Sequence, residues 1–264
     1  MPERRTADSL LRSLEPALRG VLVTAARLER RRGNTMERTP FPTGVAAIDR
    51  SLGGGLPRGA LVEFSGRGSS GRLSAALAAA AAATASGAAA AFVDRGGSLD
   101  PASAVRLGVA LERLLWVLPE RLPGAVRAAE EVLAARFPLV VIEAGLPPLP
   151  GRVPTAAWFR LARLALERGA TVIVSSPYRL TGPAAGVVVR FRGRRGTWLG
   201  KGPRVLAGLE ASIAIDRLRL AGNGAPVHGA AHRWTLPDAA LADPAAAPGA
   251  AAGGESAGAI HAAG

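Results

Sequence analysis

The sequence predicts an α/β fold built on a central, mostly parallel β-sheet that is flanked by helices and followed by C-terminal β-hairpins. The first observation is that short apolar runs alternate with helical stretches between residues 61 and 175. This alternation is typical of βαβ units around a parallel sheet. The second observation is a change to hairpin-type patterns from Val187 onward. The third is the length of 264 residues, which suits one main core with tails because single cores seldom exceed about 250 to 300 residues.

The apolar periodicity places each element in order along the chain. Helix-type spacing makes Trp158, Leu161 and Ala165 share one face of the last core helix, while Arg160 and Arg163 lie on another. Core strands are predicted at residues 61–64, 89–94, 114–118, Leu139–Glu143 and 171–175. Helices are predicted at residues 72–86, 101–107, 124–136 and Thr155–Arg168, and hairpin strands at residues 187–192, 197–199 and 211–220.

Two terminal segments differ from the predicted core, which spans residues 40–236. Apolar side chains recur at helical spacing with arginines between them near the N-terminus, so residues 1–39 are predicted to form an amphipathic helical arm and a linker. Its apolar face either docks on another protein or on the next subunit, or packs on its own domain. Residues 237–264 are mostly Ala, Gly and Pro and are expected to be disordered. The candidate partner-binding residues of the arm are Leu10, Leu14 and Leu18.

The composition excludes several classes of site. The absence of cysteine excludes disulfides, thiol catalysis and thiolate metal sites. His228 and His232 have i,i+4 spacing, but no third ligand accompanies them, so no metal site is predicted. The N-terminus is charged, and the longest apolar run, residues 75–93, is mostly alanine interrupted by polar residues and glycine. We therefore expect a cytoplasmic protein without a membrane-spanning segment.

The charge balance is strongly basic, with 33 Lys+Arg against 20 Asp+Glu and a net charge of +13. Lys201 is the only lysine, so arginine, which binds phosphate groups bidentately, carries nearly all of the positive charge. The excess is concentrated, since nine basic and two acidic residues lie between Arg190 and Arg233. This balance indicates nucleic acid or another acidic partner.

Within this basic stretch, arginines flank Phe191 and Trp198 on a predicted hairpin. Such a surface can follow a phosphate backbone and stack on bases, as proteins that bind single strands do. The alternative is a solvated hairpin whose aromatic side chains face the core. The candidate DNA-binding residues are Arg190, Arg192, Arg194, Arg195, Lys201 and Arg204.

A phosphate loop is predicted directly after the first core strand. In the motif G-x-x-x-x-G-K-[ST], the glycines let backbone N–H groups wrap the phosphates, the Lys reaches the outer phosphates, and the hydroxyl binds Mg²⁺. Gly66 and Gly71 have the required spacing, but Arg72 and Leu73 replace the Lys and the Ser/Thr. Leu73 offers no metal ligand, and Ser74 points about 100° around the helix from that position.

From residue 40 to residue 220 the chain resembles a RecA/RadA-type core. The likeness is carried by Thr43-Gly44-Val45, residues 52–59, the strand and loop that follow, residues 92–101 and Leu107-Gly108-Val109. Val140-Val141-Ile142-Glu143 resembles the Walker B strand. The resemblance implies a RecA-like core with a nucleotide site at the loop.

The catalytic groups of that family are not matched in this chain. The glutamate that activates water in RecA stands two residues after the aspartate that ends the second strand, and the corresponding position after Asp94 is Gly96. Glu143 replaces the Walker B aspartate and is still long enough to hold Mg²⁺ through water. The resemblance therefore implies no catalytic residue, no fast hydrolysis and at most weak ATP binding. The candidate nucleotide-binding residues are Gly66, Arg67, Gly68, Ser69, Ser70, Gly71, Arg72, Ser74 and Glu143.

A degenerate RecA-like chain of this size is most similar to the bacterial ImuA group and its SulA-like relatives. That resemblance implies a non-catalytic adaptor for error-prone translesion synthesis in the SOS response to DNA damage. Its implied partners are DNA, a RecA filament or translesion polymerase components, and a second copy of the chain. The stretches that match the DNA-binding loops of RecA, residues 145–154 and 175–186, look too short and apolar for that role. Two alternatives stay open: a weakly active DNA-dependent ATPase or recombinase paralogue, and a SulA-like cell-division inhibitor.

Overall fold

A computed structural model of the chain describes residues 39–199, 205–218 and 232–235. Its helices are α1 (Ala46–Ser51), α2 (Arg72–Ala85), α3 (Pro101–Arg106), α4 (Leu122–Ala134) and α5 (Thr155–Arg168), with a short 3-10 helix at Leu111–Arg113. Its strands are β1 (Ala60–Ser65), β2 (Ala90–Asp94), β3 (Leu114–Val117), β4 (Leu139–Glu143), β5 (Thr171–Ser176), β6 (Val187–Leu199), β7 (Val205–Leu218) and β8 (His232–Thr235). The helical arm with Leu10, Leu14 and Leu18, the tail at residues 237–264, and Lys201 and Arg204 lie outside the described residues.

The eight described strands form one sheet in the order β3-β2-β4-β5-β1-β6-β7-β8. All pairs from β3 to β6 are parallel, whereas β6 with β7 and β7 with β8 are antiparallel. The predicted α/β class, with a mostly parallel sheet, flanking helices and antiparallel C-terminal strands, is confirmed. The order also places β1 between β5 and β6, so the segment after β1 has neighbours from distant parts of the chain.

Side chains of the parallel strands alternate between two hydrophobic clusters. In β4, Leu139 and Val141 belong to the cluster that contains α1, α2 and α3, whereas Val140 and Ile142 belong to the cluster that contains α4 and α5. This period of two, apolar on both faces, is expected of a sheet that is covered by helices on both sides. Glu143 is next in the alternation and therefore faces α2.

Helix α2 is built almost entirely from small side chains. Ala75, Ala76, Ala79, Ala80 and Ala83 are buried. Alanine has the highest helix propensity and lets the helix axis approach the sheet closely. The alanine-rich run is thus a buried helix followed by a turn and β2, as predicted. Among the described residues, no helix has the length and apolar content that crossing a membrane requires.

The ends of several helices follow local signals. Helix α5 has the predicted bounds and ends at Gly169, which adopts φ 65°. Helix α4 begins at Leu122 rather than at residue 124, because Pro123 lies in the first turn, where its missing N–H removes no helical hydrogen bond. The Asp100 side chain caps α3 by accepting a hydrogen bond from the Ser103 N–H at 2.9 Å. Hydrogen bonds from the Ser103 side chain and backbone hold the pKa of Asp100 below its ordinary value.

The predicted break in the basic hairpin is wrong. The sequence predicts two short strands, residues 187–192 and 197–199, but β6 is one strand over Val187–Leu199. Its partner β7 also begins at Val205 rather than at residue 211. The antiparallel ladder with β7 continues through Gly193 and Gly196, although the pairing register shifts between Gly193 and Arg195. Pairing with β7 therefore overrides the local turn preference of the glycines.

The two aromatic residues of β6 have different surroundings. Phe191 is 2% exposed, and its ring centroid lies 5.1 Å from that of Phe64 on β1. Trp198 is 54% exposed. Phe191 is therefore a core residue, which agrees with the alternative that the aromatic side chains of the hairpin face the core. Trp198 does not follow that alternative, because its side chain is accessible to a ligand.

We expect Phe191→Ala to lower the free energy of unfolding by about 3 to 5 kcal/mol, because it removes a large buried side chain and leaves a cavity. Trp198→Ala, on the same strand, serves as the matched control and should change it by about 0.5 kcal/mol or less, as exposed substitutions do. Urea denaturation monitored by circular dichroism measures both values. Equal destabilisation by the two variants would contradict this assignment.

Candidate phosphate-loop site

The predicted phosphate loop joins β1 to α2 at the carboxyl edge of the parallel strands. Gly71, directly before α2, has φ 90°, in the left-handed region that glycine adopts without strain. Ser69 also has a positive φ, of 55°. In open α/β sheets, ligands bind in the crevice outside the carboxyl ends of the strands. The loop therefore lies where a ligand would meet the sheet.

Arg72, at the position of the motif lysine, is turned into the protein. It is 6% exposed, and its Nη1 lies 2.7 and 2.8 Å from the two carboxylate oxygens of Glu143. Nη1 also donates to Ser175 Oγ, Nε donates to the Gly66 carbonyl at 3.0 Å, and Nη2 donates to the Gly145 carbonyl at 3.1 Å. The guanidinium is thus hydrogen bonded through all three of its nitrogens to groups of the protein itself.

The residues that would hold Mg²⁺ beside a nucleotide do not fit that ion. Leu73 has no oxygen ligand, and both oxygens of Glu143 accept hydrogen bonds from Arg72, with a further one from the Gly145 N–H at 2.8 Å. Ser74 lines a separate cavity with Gly44, outside the loop. Within the described ranges, no group of three or more His, Cys, Asp or Glu is arranged to bind a metal.

The position that corresponds to the catalytic glutamate is sterically closed. A Cβ atom at Gly96 would lie 2.7 Å from the Gly145 Cα and 2.7 Å from Ser98 Oγ. Real Cβ atoms do not approach other atoms so closely. Asp94, two residues earlier, is 1% exposed and accepts hydrogen bonds from the N–H groups of Ser98 and Leu99. The segment after β2 is therefore organised for tight packing against the segment after β4.

The phosphate loop and the basic strand β6 share one cavity of about 850 Å³. Sequence reasoning treated these two features separately, and the parallel pairing of β1 with β6, which aligns Ser65 with Arg190, brings them together. Asp216 is the acidic residue of the lining, and it pairs with Arg190 at 2.9 Å. The arginines that line the cavity are Arg67, Arg179, Arg190, Arg192 and Arg195.

Close backbone contact holds the loop against β6. A Cβ atom at Gly193 would lie 2.6 Å from the Ser69 carbonyl oxygen, and one at Gly66 would lie 2.7 Å from the Phe191 carbonyl oxygen. Only glycine permits both approaches without a shift. Gly193 in β6 therefore leaves room for the loop.

The structure places only some of the predicted site residues in this cavity. Residues 66–70 of the loop line the cavity, whereas Arg72 and Glu143 lie behind it as a buried pair. Of the DNA-binding candidates, Arg190, Arg192 and Arg195 line the cavity. Arg194 lies on β6, but its side chain is not described. Lys201 and Arg204 lie outside the described residues.

Tyr178 and Arg179 line the cavity from the segment after β5, which the sequence analysis sets aside as too short and apolar to bind DNA. Glu63 on β1 holds this segment by accepting hydrogen bonds from the Leu180 N–H, and from Thr181 Oγ1 at 2.6 Å. The signal that could have found them is their position directly after a parallel strand, at the same sheet edge as the phosphate loop.

We expect Arg72→Ala to lower the free energy of unfolding by about 3 to 5 kcal/mol, because it leaves the buried Glu143 carboxylate without its partner. The double variant Arg72→Met, Glu143→Leu should recover most of this loss, since replacing both charges by apolar side chains removes the unpaired charge. Urea denaturation of both variants measures the difference.

The control is Arg163→Ala, which breaks an exposed pair with Glu167 in which the Arg163 side chain is 80% exposed. Exposed pairs contribute at most about 1 kcal/mol. A loss for Arg72→Ala no larger than that of this control would show that the buried pair is not a structural anchor.

Comparison with known proteins agrees with this architecture. A family profile described as the RecA N-terminal domain matches residues 24–147. RecA of Picosynechococcus sp. is 35% identical over 109 residues, which are 41% of this chain and 31% of that protein. RecA of Prochlorococcus marinus (strain MIT 9303) is 39% identical over 104 residues, or 39% of this chain and 27% of that protein. RecA of Trichodesmium erythraeum is 33% identical over 143 residues, or 53% of this chain and 38% of that protein.

The matches thus span about a third of the length of these relatives. The profile match falls on the phosphate-loop half of the chain, where the strands are parallel and helices lie on both faces of the sheet. The profile match and the identities show that this part of the chain is similar to RecA, and the mostly parallel sheet flanked by helices is consistent with a RecA-like core.

Proposed function

We propose that this chain is a RecA-like accessory protein that acts in DNA repair by binding DNA and does not hydrolyse ATP. The observation that carries the proposal is the buried Arg72–Glu143 pair, with oxygen–nitrogen distances of 2.7 and 2.8 Å. In a working phosphate loop, the cation at the position of Arg72 would contact the nucleotide, and the carboxylate at the position of Glu143 would hold the metal ion. In this chain the two side chains bind each other instead.

Three further features oppose hydrolysis. Leu73 offers no oxygen to Mg²⁺, and Glu143 already accepts three hydrogen bonds. Gly96 leaves no space for a water-activating carboxylate, because the Gly145 backbone occupies it. Phosphoryl transfer depends on positioned charge and metal around the outer phosphate. Without them, the residual loop supports at most weak nucleotide binding.

Positive charge on the loop side of the molecule supports DNA binding. Arg192 and Arg195 are exposed on β6, and Arg67 is exposed on the loop. Neutralising phosphates with such side chains releases counterions, which supplies most of the affinity of proteins for nucleic acid at low salt. The exposed indole of Trp198 adds a surface on which a base can stack.

The partner class we propose is a translesion polymerase complex or a RecA filament, for which the chain would be an adaptor. The support is the resemblance to the ImuA group together with the amphipathic pattern predicted for residues 1–39. Leu10, Leu14 and Leu18 would provide the apolar contact, and the basic strand would contact the DNA.

We expect the purified protein to release no phosphate from Mg²⁺–ATP above the buffer rate, with or without single-stranded DNA, because the metal ligands and the base are replaced. A coupled phosphate-release assay measures this rate. DNA-stimulated release in the wild type that disappears in a folded Arg72→Ala variant would instead identify a DNA-dependent ATPase.

We expect the double variant Arg192→Ala, Arg195→Ala to bind single-stranded DNA more weakly and with a shallower salt dependence. The slope of log affinity against log salt should fall by about 1.4, at about 0.7 for each lost phosphate contact. Fluorescence anisotropy of a labelled oligonucleotide over a salt series measures it. The matched control is Arg163→Ala, Arg168→Ala on α5, whose arginines are exposed but line no part of the cavity. Equal slopes in the two double variants would contradict a specific role for β6.

A further inference from the structure

We propose that the phosphate loop now seats a phosphate of a single-stranded nucleic acid, without a metal ion, inside the cavity it shares with β6. The inference rests on the proposed function, and it adds where on the molecule the strand is held. The loop would thereby keep its phosphate-binding chemistry while the ligand changes from a nucleotide to a strand.

The first observation behind this proposal is a buried hydroxyl in the loop that has no hydrogen-bond partner. Ser70 is 3% exposed and lines the cavity, and its Oγ has no hydrogen-bond partner among the described residues. Buried polar side chains in folded proteins nearly always have such a partner, so an exception calls for an explanation. A phosphate oxygen in the cavity would accept this hydrogen bond.

The second observation concerns the backbone N–H groups of the loop. Among the described residues, no backbone acceptor takes a hydrogen bond from the N–H groups of Arg67, Gly68, Ser69 and Gly71. These residues precede α2, a helix of 14 residues whose N-terminus carries the positive end of the helix dipole. Free N–H groups and the dipole together favour an anion at this place.

Arginine charge takes the place of the metal ion. Arg67 and Arg179 approach the cavity from the loop and from the segment after β5, and β6 adds Arg192 and Arg195. Arg72 does not contribute, because Glu143 and three other groups hold it. Guanidinium groups bind phosphate oxygens bidentately and need no metal to do so.

The extent of the basic surface favours a strand over a free nucleotide. Tyr178 is 48% exposed at the cavity, and Trp198 is 54% exposed farther along β6. Six residues separate Arg192 from Trp198, about 20 Å along an extended strand at about 3.3 Å per residue. A single nucleotide does not cover that distance. Arginines with exposed aromatic residues along such a path are typical of surfaces that bind single strands.

The test is Ser70→Ala, because a hydroxyl without a partner can be removed without loss of an internal hydrogen bond. We expect its unfolding midpoint in urea to stay the same or to rise, and its affinity for a fluorescein-labelled oligo(dT) in EDTA to fall about tenfold, as for a lost hydrogen bond to a charged group. The matched control is Ser51→Ala on α1, whose Oγ donates to the Ala47 carbonyl at 2.8 Å. This control should bind as the wild type does.

A second comparison, between two double variants, tests whether the arginines of the cavity contribute to binding. Arg67→Ala, Arg179→Ala should reduce the salt slope by about 1.4, at about 0.7 per phosphate, while Arg163→Ala, Arg168→Ala leaves it unchanged. If Ser70→Ala and Arg67→Ala, Arg179→Ala both bind as the wild type while the β6 double variant does not, the inference is overturned and the proposed function stands. If none of these variants loses affinity, both fail.

A competition experiment distinguishes a site for a nucleic-acid strand from a site for a free nucleotide. We expect excess Mg²⁺–ATP to displace the oligonucleotide no better than the same ionic strength of sodium chloride. Displacement at micromolar Mg²⁺–ATP that EDTA abolishes would show a metal-dependent nucleotide site and would overturn the inference.

Discussion

The buried ion pair between Arg72 and Glu143 connects the first residue of α2 to the last residue of β4. Arg72 also donates to Gly66 and Ser175, so one guanidinium joins the ends of β1, β4 and β5 to the helix. A charge buried alone costs several kcal/mol, and only a partner with good geometry offsets it. The positions of these four elements therefore depend on one another. The same contact decides the chemistry of the loop, because it removes from the cavity the two charges that would face a nucleotide and its metal.

Close approach at glycine is the second constraint on the site. Gly66 and Gly193 let the phosphate loop lie against β6, and Gly96 and Gly145 let the segments after β2 and β4 touch. The first contact brings the arginines of β6 to the loop. The second closes the position at which a catalytic carboxylate would stand. Both contacts have the same physical origin, because each is a close approach of two backbone segments that leaves no space for a side chain.

Local sequence patterns predicted an element correctly where its structure depends mainly on its own residues. The continuous apolar run of β4 and the helical periodicity of α5 predicted their bounds, because burial on both faces and a C-terminal glycine can be recognised in a short window. They were insufficient for β6, where Gly193 and Gly196 indicate a turn in isolation. A long ladder with β7 overrides that preference, and the partner lies outside any such window. Phe191 shows the same limit, since its contact with Phe64 depends on the pairing of β6 with β1.

The sequence by itself determined the α/β class, the glycine-rich loop after the first core strand, the concentration of arginine, and the absence of a hydroxyl at Leu73 and of a carboxylate at Gly96. These follow from composition, periodicity and motif spacing, which are local properties. The tertiary structure decided that Arg72 pairs with a carboxylate 71 residues away, that Ser74 lines a different cavity, and that Tyr178 and Arg179 join the loop and β6 around one space. Those outcomes depend on the order of strands in the sheet. Strand order results from packing the whole chain, so no single segment encodes it.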